Sequence, residues 1–69
     1  MLPERDEKKR LLRVEAIRNG ALVRQHLGQA ARYMREKDGR HVVILHGGAR
    51  YSARTLQWAI NKARDAIGM

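Results

Sequence analysis

Sixty-nine residues suffice for one domain, and the absence of cysteine excludes disulfides and thiolate metal sites. Three scattered histidines, His26, His41 and His46, have no metal-ligand spacing; no apolar run approaches the roughly 20 residues of a membrane span or follows the N-terminus as in a signal peptide, so a cytoplasmic protein without cofactor or membrane contact is expected. Fifteen Lys and Arg against seven Asp and Glu give a formal charge of +8, which concentrates anionic partners and points to nucleic acid.

The chain has no Phe and one Trp, so its apolar side chains are small, and a chain this short buries only about 60% of its unfolded surface. With disulfides and metals excluded, self-association is the remaining source of stability, and a homodimer is expected. The charge is uneven. Acids and bases nearly balance over residues 1–10, whereas Arg18, Arg24, Arg32 and Arg35 face no acid between Ala16 and Arg35, nor do the bases between Arg40 and Arg64.

Pro3 with Glu4, Asp6 and Glu7 marks a helix start, since proline is tolerated in a first turn and acids favour its positive end. The helix is expected to reach Arg18 and stop at Asn19-Gly20. Its apolar residues Leu11, Leu12, Val14, Ala16 and Ile17 spread too widely for one stripe. Over residues 21–37 a helical period gathers Leu22, Val23, His26, Leu27, Ala30, Ala31, Tyr33 and Met34 on one half of the wheel and Arg24, Arg32 and Arg35 with Gly28 on the other. That predicts a second helix with an arginine stripe. Asp38-Gly39 makes a turn. Arg40–His46 reads as a strand apolar on both faces, Val42 and Ile44 on one and Val43 and Leu45 on the other, a pattern of burial on two sides. Gly47-Gly48 breaks it. Ser52 is the expected N-cap of a last helix over Ala53–Ile67, ending at Gly68, with Leu56, Ala59, Ile60, Ala63 and Ile67 as its core face.

The elements give a mostly α fold of order α-α-β-α, whose single strand pairs across a homodimer through Val42, Val43, Ile44 and Leu45. Because one strand makes no sheet, the alternative to a partner strand from a second copy is that one of these helical segments is really strand.

Val42 to Gly48 is similar to the strand and oxyanion loop of an α/β-hydrolase, but no serine elbow or multi-stranded sheet accompanies it. With no nucleophile–base pair at an interpretable spacing, no catalytic residue and no enzymatic activity are expected. His46-Gly47-Gly48-Ala49-Arg50, ahead of the last helix, can hold a phosphate with Arg50 and Arg54 or serve as a plain turn. Ser52-Ala53-Arg54-Thr55-Leu56 resembles the opening of a recognition helix, which would let Arg54 or Thr55 read bases, although a strand stands where the positioning helix belongs. Trp58 falls on the wet side of its helix between Arg54 and Lys62, which suits base stacking, a partner-chain interface or cover by the first helix.

Asp38-Gly39-Arg40, Val42 to Ile44, His46 with Gly48, and Thr55-Leu56 stand in the order seen in HicA-type mRNA interferase toxins, which the chain resembles over about two-thirds of its length; Asn19-Gly20 and Leu22-Val23-Arg24-Gln25 are similar to that family's helix end and following strand. The resemblance implies an α+β, dsRBD-like fold of order α-β-β-β-α, with strands where the wheel makes residues 21–37 a helix, and RNA as ligand. The family's catalytic histidine follows a Gly-Ser pair, and this chain has Gly28-Gln29-Ala30-Ala31 there, so the resemblance implies binding without cleavage.

The sequence therefore favours a small nucleic-acid-binding regulator of phage or plasmid type, acting on DNA before RNA. Its expected contacts are Arg24, Arg32, Arg35, Arg50, Arg54, Thr55 and Lys62. The runner-up is a protein-binding module, such as a phage-encoded inhibitor of a host factor, anchored by Trp58; the third is a non-catalytic HicA-like RNA binder.

Overall fold

A computed structural model of the chain describes residues 3–68, with side chains from Glu7 onward. Among these residues two helices accompany a three-stranded sheet, in the order α1 (Pro3–Leu27), β1 (Arg32–Arg35), β2 (His41–Ile44), β3 (Arg50–Ala53) and α2 (Leu56–Ala66). This overturns the single-strand α-α-β-α reading and matches the alternative α-β-β-β-α order.

The first helix does not stop at Asn19-Gly20. It continues for two further turns, because Ala21 to Leu27 are mostly good helix formers and a mid-helix glycine costs only about 1 kcal/mol. Asn19, Gly20 and Val23 are buried where α1 lies on the sheet. The stop is Gly28, whose φ of 102° is the left-handed cap conformation. Its N–H donates to the Arg24 carbonyl at 2.9 Å. Gly28 had been expected inside a second helix, and it ends the first.

The segment read as that second helix divides at this glycine. Residues 21–27 finish α1, and Arg32–Arg35 form β1. Arg and Met are good helix formers, so Arg-Tyr-Met-Arg is strand against its local preference, and pairing with β2 decides its state. Tyr33 and Met34, neighbours on the helical wheel, now point to opposite faces. Residues 22–25, matched by resemblance to a strand, lie in α1.

All pairings are antiparallel and the strand order is β1-β2-β3. Tyr33, Val43 and Tyr51 form one cross-strand row, and Arg32, Ile44 and Arg50 another. The β1–β2 hairpin turns at Asp38-Gly39 as expected. The Gly39 N–H donates to the Glu36 carbonyl at 2.9 Å, and the Arg40 N–H to Asp38 Oδ1 at 3.0 Å. Gly47-Gly48 turns β2 back into β3, so the glycine loop precedes a strand rather than the last helix. Ser52 and Ala53 belong to β3, and the α2 N-cap is Thr55, whose Oγ1 accepts from the Trp58 N–H at 3.2 Å.

Both helices pack on one face of the sheet. Val23 from α1, Ala31, Val43, Leu45 and Ala53 from the sheet region, and Ala59, Ile60 and Ala63 from α2 make the core, with Leu27, Tyr33, Tyr51 and Leu56 against it. Ile67, expected in that core, is exposed beyond the helix end. The strand β2 is central, and its two edges are taken by β1 and β3. Pairing of this strand across a dimer is thereby corrected: Val43 and Leu45 serve the core, Val42 is buried, and no backbone edge of β2 remains open.

Gly20 supplies a direct check on this account of α1. A Cβ added there would meet only a guanidinium nitrogen of Arg24, at 3.3 Å, the far end of a flexible side chain. Gly20→Ala is therefore expected to raise stability by about 0.5–1 kcal/mol, read by chemical denaturation. A helix that ended at Asn19 would show no such gain.

Candidate nucleic-acid interface

Because successive side chains of a strand alternate between faces, the odd-numbered residues of the strands go to the helices and the even-numbered ones to the opposite face. On that open face Arg32, Ile44 and Arg50 stand in one row and Met34, Val42 and Ser52 in the next. Beyond the last ladder pair, His41 with Ala53, come Arg40 and Arg54. The face thus has an apolar centre framed by four exposed arginines, Arg32, Arg40, Arg50 and Arg54. Their rows are about 13 Å apart along the strands, and flanking strands lie about 10 Å apart.

Val42 is only 3% exposed at the middle of this face, with Met34 and Ser52 as its cross-strand neighbours. Shallow clefts lie at both ends. At the β1–β2 hairpin, Arg35, Asp38, Gly39, Arg40 and Arg54 line one of about 510 Å³. At the β2–β3 hairpin, Arg32, Ile44, His46, Gly47 and Gly48, with Gln29, Ala30 and Leu45, line one of about 310 Å³. Arg40 Nε has Asp38 Oδ2 at 3.5 Å. Among the described residues Arg32, Arg50 and Arg54 have no carboxylate within salt-bridge distance.

The expected contact residues divide accordingly. Arg32, Arg50 and Arg54 come together on the open face. Arg24 lies on α1, away from them. Arg35 points to the helix side, where Nη1 meets Glu15 Oε1 at 2.6 Å and ties β1 to α1. The stripe of Arg24, Arg32 and Arg35 therefore does not exist as one surface. Thr55 is engaged in capping α2. Lys62 Nζ donates to the Ser52 carbonyl at 2.8 Å, so this ammonium occupies a carbonyl of the edge strand β3 and discourages further strand addition. The recognition-helix reading fails locally, since Ser52 to Ala53 is strand. Arg40 was missed, although alternation with Val42 and Ile44 after the Asp-Gly turn is visible in the sequence.

Trp58 is 63% exposed and lies on the side of α2 opposite Ala59, Ile60 and Ala63. It is not covered by α1, and it does not belong to the open sheet face. The aromatic residues of the sheet, Tyr33 and Tyr51, face the core. The open face thus carries cations and aliphatic groups and no stacking platform.

A cluster that the sequence did not reveal joins α1 to β1 and β2 on the inner face. Tyr33 Oη and His41 Nδ1 are 2.7 Å apart, the phenol donating when the imidazole carries its proton on Nε2. Their rings are tilted with centroids 5.8 Å apart. Burial, and then the neighbouring Arg35 charge, hold the His41 pKa below its ordinary 6.5, while Glu15 acts in the opposite sense. No three His, Cys, Asp or Glu side chains group as a metal site among the described residues, and none of their helices is long and apolar enough to cross a membrane.

The lowered His41 pKa has a stability consequence. As pH falls, the unfolded chain binds the proton before the folded chain does, so stability declines. The loss begins near the ordinary value of 6.5 and grows until the folded pKa is passed. Wild-type melting temperature is expected to fall between about pH 7.5 and 5.5 by more than that of His41→Gln; equal slopes would remove His41 as the cause.

Comparison of the chain with protein-family models, with characterised proteins and with solved structures finds no match.

Proposed function

We propose that the domain binds the phosphodiester backbone of a nucleic acid across the open face of its sheet. The observation that carries this reading is the frame of Arg32, Arg40, Arg50 and Arg54 around Met34, Val42 and Ile44 on the face that the helices leave bare. Guanidinium groups bind phosphate oxygens through paired N–H donors and remain charged at all relevant pH. The aliphatic centre suits sugar edges, and the want of an aromatic platform argues against base stacking as the main source of affinity. Recognition of this kind reads the backbone and shape before the sequence.

The reading places the protein in the cytoplasm as a small regulator that acts by occupancy. DNA and RNA share the backbone chemistry proposed here. The DNA preference drawn from a recognition-helix opening loses its local support, because Thr55 is a cap and Ser52 is strand. A backbone-reading α-β-β-β-α domain is compatible with a duplex RNA ligand, as is the resemblance to HicA-type toxins. A second reading rests on Trp58, exposed on the outer side of α2 and suited to anchoring a protein partner.

Fluorescence anisotropy with single- and double-stranded DNA and RNA, at about 50 and 200 mM salt, separates these readings: log affinity should fall with log salt by about 0.7–0.9 for each phosphate neutralised. Arg50→Ala should weaken every bound sequence alike and reduce the slope by about one such contact. Trp58→Ala should leave nucleic-acid affinity unchanged. No salt-dependent binding to any of the four probes would defeat the reading, as would wild-type affinity in a variant lacking Arg32, Arg50 and Arg54.

A further inference from the structure

The long first helix has a second face that the fold does not use. Val23 is fully buried on one side of α1, whereas Ile17 is 72% and Val14 47% exposed on the other. Glu7, Arg10, Val14, Ile17, Ala21 and Arg24 follow one another at alternating spacings of three and four, which on an α-helix draws one narrow stripe. The stripe lies opposite Asn19 and Val23, so the sheet and α2 stand clear of it.

We propose that this stripe pairs antiparallel with the same stripe of a second copy of the chain, forming a two-fold dimer through α1. The argument is the self-complementarity of its charges. In the antiparallel register that sets Val14 against Ile17, Ala21 meets Arg10 and Glu7 meets Arg24, so each end closes on an opposite-charge pair. Glu7 already has Arg10 of its own helix at 3.9 Å, and the partner's Arg24 would reach it from across the stripe. At the margins Leu11 falls beside Arg18, whose methylene stem can cover it, and Arg13 falls beside Gly20. No like charges are opposed. A parallel arrangement would set Arg10 on Arg10 and Arg24 on Arg24 and is disfavoured. Each protomer's sheet remains on the far side of its own helix, so the open faces stay accessible.

The apolar part of the stripe is small, which puts the contact at the weak end of specific interfaces, with a dissociation constant expected on the order of 10–100 μM. Sedimentation velocity of the full chain from about 5 to 500 μM covers that range. The wild type is expected to move from monomer to dimer across it. Ile17→Asp, at an exposed position, should stay monomeric with an unchanged circular-dichroism spectrum. Glu7→Arg and Arg24→Glu should each weaken association by about tenfold or more by opposing like charges, and the double variant should recover wild-type association. A wild type that remains monomeric throughout, an Ile17→Asp variant that dimerises normally, or a double swap no better than its single variants would each overturn the proposal.

Discussion

The strand His41–Ile44 is the constraint on which the rest of the molecule rests. Among the described residues it is the strand with a neighbour on both edges, and Val42 and Val43 are both buried although they point to opposite faces. Val43 achieves this beneath the two helices. Val42 lies on the opposite face, in one row with Met34 and Ser52. With both helices packed against the face that holds Val43, the face that holds Val42 has no covering layer among the described residues. What remains exposed there is the arginine frame.

That arrangement also explains how a chain without Phe or Cys holds together. The core is built from small residues, Ala31, Ala53, Ala59 and Ala63, around Val23, Val43 and Ile60, so helices and sheet approach closely. Polar ties supplement it where α1 passes β1. The Arg35–Glu15 pair is partly exposed, so its contribution is on the order of 0.2–1 kcal/mol; the Tyr33–His41 contact satisfies two half-buried polar groups at once. These ties remove Arg35 and His41 from the pool of free cations. The charge left for a partner is therefore concentrated on the open face and on the outer side of α1.

The sequence shows the parts of this fold whose signals are local. The Asp38-Gly39 turn, the two-sided apolar strand, the Gly47-Gly48 break and the core face Leu56, Ala59, Ile60 and Ala63 can each be read from a few adjacent residues. The division of residues 21–37 cannot. Leu22, Val23, His26 and Leu27 are helical in fact, and extending their period through Tyr33 and Met34 fits the wheel because any two adjacent apolar residues fit some helical face. Only Gly28 signals the change, and a glycine is equally readable as a costly helical residue or as a cap. Likewise β3, Arg-Tyr-Ser-Ala, has little strand propensity of its own and exists by pairing with β2. Its serine, a good N-cap type, drew the helix start three residues too early. The arginine frame was hidden for the same reason: Arg32, Arg40, Arg50 and Arg54 converge only once the register of three strands is known.

The account's central claim is that the open sheet face is where an anionic partner sits. The most direct measurement is a ¹H–¹⁵N NMR titration of the labelled protein with a short oligonucleotide, following backbone amides and the arginine and tryptophan side chains together. The account predicts shifts concentrated at Arg32, Arg40, Ile44, Arg50 and Arg54, with the Trp58 indole and the buried amides of α2 nearly still. Shifts centred on Trp58 and the outer side of α2, with the four arginines unmoved, would contradict it.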